Sequence, residues 1–187
     1  MNRKLLLIGF VIVLALASAT AVLARVMNQT DPAQSLVKTV RDATEQYQDV
    51  AAAEAAGYGL FHGCVSSPQE GAMGVHFVNG NLVGDGALDA TQPEALLYEF
   101  RGNQARLVGV EYVVLADDWN ANNDMPPVLG GQLFNFVGSP NRYGIPAFYE
   151  LHVWAWKGNT LGTFVDWNPK VTCREFTPDS APHAHSD

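Results

Sequence analysis

The chain has 187 residues, 48% of them hydrophobic, with 11 basic against 19 acidic side chains and a formal net charge of −8. That length and apolar content suffice for one domain with its own core. The acidic balance excludes nucleic acid as an expected partner, because like charge repels a phosphate backbone, and favours cations, a small ligand or a basic protein surface instead.

The first 24 residues read as a secretory signal segment. Arg3 and Lys4 supply a positive start, Leu5 to Leu23 carries no charge, and Ala17-Ser18-Ala19 and Ala19-Thr20-Ala21 offer the small residues a signal peptidase reads. An uncleaved membrane anchor is the alternative, and a membrane association is expected only in that case. Either way the remainder is delivered to the outer side, secreted, periplasmic or at the cell surface. Removing 24 of the 187 residues leaves 163, and loss of Arg3 and Lys4 takes the charge from −8 to −10.

Residues 25–34 read as a polar linker, 35–176 as one domain and 177–187 as an unordered tail rich in Pro and His. At the linker's end Asp31-Pro32 has the form of a helix start, with a capping carboxylate before a proline whose missing N–H costs nothing. Val37, Val40, Tyr47, Val50 and Ala51 recur with helical spacing, and Gly57 supplies a stop, so one helix is predicted to Ala56. The period then changes to two. Met73, Val75 and Phe77 alternate with Gly74, His76 and Val78, and Asn79-Gly80 has the composition of a hairpin turn.

Strands are predicted over Ala95–Phe100 and Ala105–Leu115 around a reversal at Arg101-Gly102-Asn103. Both faces of the second are apolar, with Val108, Val110 and Val114 on one and Leu107, Val113 and Leu115 on the other, which marks a central strand. Residues 117–143 turn to Asn, Asp, Pro and Gly and read as a long loop with one short strand near Leu133-Phe134. Phe148–Lys157 and Thr163–Trp167 complete the set. The expected class is α+β, one N-terminal helix packed on a mostly antiparallel sheet.

Two cysteines, Cys64 and Cys173, in a chain bound for an oxidising compartment form a disulfide candidate; a redox pair is disfavoured because CxxC is absent. Polar side chains inside apolar strands carry the chemistry. Glu150 and His152 are two apart and project from one strand face, Glu111 shares a face with Val113, and His76 lies among apolar neighbours. An ionised carboxylate so placed costs several kcal/mol unless it is paired or bound to a cation. If the strands bring them into register, His76, Glu111, Glu150 and His152 form a ligand set for a divalent ion such as Zn²⁺, Mn²⁺ or Fe²⁺. The alternative is a satisfied buried network, His76 with Glu111 and Glu150 with an amide or tyrosine. His62 is a spare ligand.

Asp118, Asn120, Asn122 and Asp124 alternate like the first oxygens of a calcium loop, but Asn123 and Leu129 stand where such a loop needs Gly and Glu, which leaves only an irregular calcium loop or a solvated one. Phe148, Tyr149, Trp154, Trp156, Phe164 and Trp167 are candidates for a ligand pocket or for core. GxSxG, P-loop, GxGxxG and CxxCH motifs are missing, which weighs against the corresponding hydrolase, nucleotide and haem classes. A non-catalytic binding domain, a purely structural or interaction domain and a small metal-dependent enzyme remain open.

The segment Asn141-Arg142-Tyr143-Gly144-Ile145-Pro146-Ala147-Phe148-Tyr149-Glu150-Leu151-His152-Val153-Trp154-Ala155-Trp156-Lys157, the later Asp166-Trp167-Asn168-Pro169, Gly63-Cys64 to Phe77 and Pro93-Glu94-Ala95-Leu96-Leu97-Tyr98 are similar to a group of uncharacterised secreted bacterial proteins. The resemblance implies a bacterial source and brings no activity or site residues.

Overall fold

The computed structural model describes residues 31–102 and 104–177. The expected signal segment, residues 25–30 of the expected linker and the expected tail beyond Thr177 lie outside the described residues. Residues 32–177 form one compact unit of the α+β class. No helix among the described residues is long and apolar enough to cross a membrane.

The expected single N-terminal helix is broken into three pieces: α1 (Pro32–Thr44), a 3-10 turn (Glu45–Gln48) and α2 (Val50–Ala55). The break has a local cause. The Thr44 hydroxyl donates back to the Val40 carbonyl at 2.7 Å, competing with the helix ladder. The chain restarts at Asp49, whose carboxylate accepts from the Ala51 amide at 3.0 Å as an N-cap. Leu36, Val40, Val50 and Ala53 face the sheet. Trp156 Nε1 donates to Thr44 Oγ1 and Arg41 Nε to the Ala155 carbonyl, tying the break to the sheet.

Six strands form one curled antiparallel sheet: β1 (Gly59–Ser67), β2 (Gly71–Val78), β3 (Ala95–Arg101), β4 (Gln104–Leu115), β8 (Phe148–Val153) and β7 (Asn135–Val137), in the order β1-β2-β3-β4-β8-β7. A small hairpin, β5 (Val128–Leu129) with β6 (Gln132–Leu133), stands apart. The edge strands β1 and β7 are not expected from the sequence. β1 alternates exposed and half-buried residues, so it lacks the apolar run that marks a strand in sequence.

The turn at Asn79-Gly80 does not make a two-residue hairpin. Asn79 caps a short helix, α3 (Gly80–Val83), by accepting from the Asn81 amide, and residues 79–94 form a longer connection. The reversal after Arg101 does form, with Gly102 at φ +57 and Arg101 opposite Gln104. Residues 117–143 hold more structure than a loop: α4 (Ala116–Asn120), the β5–β6 hairpin and β7 all lie there or at its edge. The strand expected to end at Lys157 stops at Val153. Thr163–Trp167 is not a strand and gives one ladder-like bond, Trp154 N–H to the Thr163 carbonyl.

The sheet has two differently used faces. Phe77, Leu96, Tyr98, Val110, Tyr112, Val114, Leu151 and Val153 point toward the helices and form the main core. The opposite face carries His76, Leu97, Glu111, Val113, Glu150 and His152, with Trp154 just beyond β8, following the two-residue alternation of the strands. One irregularity alters the predicted partition of β4. Leu97 pairs with Gly109 and Tyr98 with Leu107, so Val108 is an extra, bulged residue. Leu107 therefore joins Val110 and Val114 in the main core, while Val108 packs with Leu97, Trp154 and Val171 on the other side.

Cys64 and Cys173 are joined, with Cα atoms 5.5 Å apart across a sequence separation of 109. The bridge fastens the C-terminal segment to β1. That segment also reaches β2, where Ala72 and Asn168 exchange backbone hydrogen bonds.

Candidate metal centre

Register decides which polar side chains meet. Glu111 of β4 lies directly opposite His152 of β8, and Val113 opposite Glu150, so Glu111, Glu150 and His152 share one face. His76 comes from β2, across β3, and its Nε2 approaches Glu111 Oε2 to 3.4 Å. Asp166, from the irregular segment after β8, places Oδ1 3.5 Å from His152 Nδ1.

These five residues fall into two overlapping triads. Donor atoms of His76, Glu111 and His152 all lie within 4.8 Å of one another, and so do those of Glu150, His152 and Asp166. His152 belongs to both. The sequence-based set of His76, Glu111, Glu150 and His152 is thus brought together around His152, but as two joined groups of three. The fifth member, Asp166, is not singled out by the sequence reading, because it sits in the turn-rich Asp166-Trp167-Asn168-Pro169 segment where carboxylates are ordinarily solvated. His62 stays outside both triads; it is half-buried opposite His76 in the β1–β2 ladder, with its ring edge-on to Tyr143.

The site is dry. The side chains of His76, Glu111 and His152 are 4%, 6% and 0% exposed, and Asp166 28%. Both ring nitrogens of His76, both of His152 and Oε2 of Glu150 have no hydrogen-bond partner. The 3.4 and 3.5 Å approaches are too long for well-formed N–H···O bonds. Glu111 and Glu150 share a hydrogen bond, so the cluster is a partly satisfied network that leaves these five atoms over.

Electrostatics follow from this crowding. Burial pushes His76 down to about 3, with His152 and His62 adding to the effect. Burial raises Glu111 well above the carboxylate range, opposed by His152 and reinforced by Glu150. Burial raises Glu150 too, against the pull of His152. For His152 burial acts downward, but Glu111, Asp166 and Glu150 outweigh it and lift the imidazole to about 9. Asp166 is held below its usual value chiefly by His152, and it also accepts from Asn135 Nδ2 at 3.0 Å. His152 is thus the imidazole on which the carboxyl groups of Glu111, Asp166 and Glu150 converge.

Other buried charges are structural. Glu99 is held by Lys157 at 2.6 Å and by the Thr172 amide. Glu94, also unforeseen, accepts from the Val113 amide at 2.9 Å, one residue pair from Glu150. The calcium-like run is not assembled as a chelating loop: Asp118 and Asn120 lie on α4, and Asn120 Oδ1 is engaged by the Tyr149 hydroxyl. Of the aromatic series, Tyr149, Trp154, Trp156 and Phe164 are core or core cover, and Trp167 lies beneath the Arg142 guanidinium. Phe148 alone of the series lines the cavity beside His76 and Glu111.

The buried His, Glu and Asp groups can hold a metal ion. The disulfide is consistent with an oxidising, extracytoplasmic location. No family model matches the chain, and no curated protein or solved structure is significantly similar to it.

Proposed function

We propose that this is an exported bacterial domain that binds a divalent transition-metal ion through His76, Glu111 and His152, with Glu150 beside them. The observation that carries the reading is the group of five buried nitrogen and oxygen atoms without hydrogen-bond partners, all on the side chains of His76, Glu150 and His152. Leaving a buried polar atom unsatisfied costs about 1–3 kcal/mol, more when it is charged. An ion bound among them takes one nitrogen from each imidazole and an oxygen from a carboxylate, whereas apolar residues would have been the cheaper way to fill a merely structural core. Two imidazoles and one carboxylate suit Zn²⁺, Mn²⁺ or Fe²⁺, ions that accept nitrogen together with oxygen.

Metal analysis of untagged protein loaded with each ion, and then dialysed, tests this. One ion per chain is expected, with a rise in Tm because the ion binds only the native state. His152→Ala, which removes the residue common to both triads, should abolish both effects. A parent protein that retains no ion, or a variant with unchanged content, favours a buried polar cluster without a metal. Export is tested separately by N-terminal sequencing of the mature chain, which should begin near residue 20 to 25.

A further inference from the structure

The sheet face that bears His76 and Glu111 is open on one side. A cavity of about 450 Å³ lies there, between β1, the α3 turn and residues 143–148. Its volume falls in the range of small-molecule sites. Val78, Val113, Leu115, Ile145 and Phe148 form apolar walls. Only three lining side chains carry a heteroatom: His76, Glu111 and Tyr143. The Tyr143 hydroxyl is turned to Met73 Sδ at 3.6 Å. Val113 and Phe148 are buried, while Phe61 (48% exposed), Gly80, Gly84 and Pro146 form the rim. The cavity thus leads from solvent, between apolar walls, to two of the proposed metal ligands.

Three protein ligands leave a divalent ion with a further position, as in metal sites that bind an exogenous molecule. Since His76 and Glu111 both line the cavity, that position faces it. The unpartnered nitrogens of His76 show that the polar end of the cavity lacks a satisfying group of its own. Apolar walls favour an apolar body, at roughly 25 cal/mol for each Å² removed from water. A carboxylate head is a good oxygen ligand for the ion, yet without the ion no lysine or arginine lines the cavity to receive it.

We infer that the cavity binds a small molecule with an apolar body and a single carboxylate head, the head completing the coordination of the ion held by His76, Glu111 and His152. The inference rests on the metal reading, and the test separates the two. Octanoate serves as the probe, titrated calorimetrically into zinc-loaded and chelator-stripped protein after the zinc content of each has been measured. Octanoate should bind the loaded protein at least about tenfold more tightly than the stripped protein, a difference of about 1.4 kcal/mol. Val113→Trp, which fills the cavity, should abolish octanoate binding and leave zinc content unchanged. Phe61→Asp, at the exposed rim where folding is not at stake, should weaken octanoate several-fold with zinc again retained.

Full zinc content with no octanoate binding overturns the cavity inference and leaves the metal reading standing. So does equal affinity with and without zinc, or tighter binding of octylamine than of octanoate to loaded protein. Absence of zinc from the loaded protein overturns the metal reading first, before any octanoate is added.

Discussion

His76 Nε2 and Glu111 Oε2 lie 3.4 Å apart although their strands, β2 and β4, are separated by β3. Ala95 of β3 stands directly opposite Glu111 and is fully buried. Its side chain ends at Cβ, so two longer side chains can close over it. Ala95→Leu should force them apart. The expected cost is about 1–3 kcal/mol from overpacking, together with loss of bound metal. Denaturant unfolding and metal analysis of the variant check the two effects separately; retained metal would show that His76 and Glu111 need not meet over this position.

Asp166 Oδ1 faces His152 Nδ1 at 3.5 Å, the side of the ring away from Nε2. A carboxylate in this role orients the imidazole and raises its basicity. Asp166→Asn is expected to lower metal affinity about 10- to 100-fold, measured by competition with a chromophoric chelator. Because Asp166 is partly exposed, the Tm of the metal-free protein should change little. A large loss of Tm with unchanged affinity would assign it a purely structural role.

Burial lifts the Glu94 carboxyl to about 8, against the opposing hydrogen bond from the Val113 amide. Glu94 is therefore protonated in the folded chain and ionised in the unfolded chain between its ordinary value near 4.5 and about 8. The folded state binds more protons across that window, so this group's stabilising contribution is complete below about 4.5 and is lost as pH rises to about 8. Glu94→Gln keeps an acceptor for the amide and removes the titration. The variant should be more stable than the parent at pH 8 by a few kcal/mol, with the gap closing toward pH 4.5. Urea unfolding at a series of pH values reads this, and parallel pH profiles would refute it.

The Cys64–Cys173 bridge closes a loop of 109 positions. The chain-entropy model assigns a loop of this order about 4.7 kcal/mol. The double substitution to serine should lower unfolding free energy by an amount of that order, seen as a lower urea midpoint. Thiol titration of unfolded, unreduced parent should detect no free thiol.

Much of the sheet was legible because alternation is a local property. Val75 and Phe77 flanking His76, and Tyr149, Leu151 and Val153 flanking Glu150 and His152, reveal which residues share a face without reference to any other strand. The cysteine pairing was legible for a different reason: a chain with two cysteines admits only one internal pairing. The edge strands were not legible, since β1 is half-exposed and β7 has only three residues. The break in the helix at Thr44 was also hidden, because a threonine is tolerated at many helical positions and only its hydroxyl geometry shows the break.

The sequence by itself determined that two imidazoles and two carboxylates interrupt apolar strands, and that such groups, where buried, need either one another or a cation. Tertiary structure alone decided where they meet. Strand order puts β2 two places from β4, register sets Glu111 opposite His152, and the bulge at Val108 resets the alternation of β4 so that Glu111 and Val113 point away from the main core. It also delivers Asp166 from a segment with no periodicity. Register and bulges depend on hydrogen bonds between residues distant in sequence, and a shift of one residue in β4 would turn Glu111 to the opposite face, toward the helices.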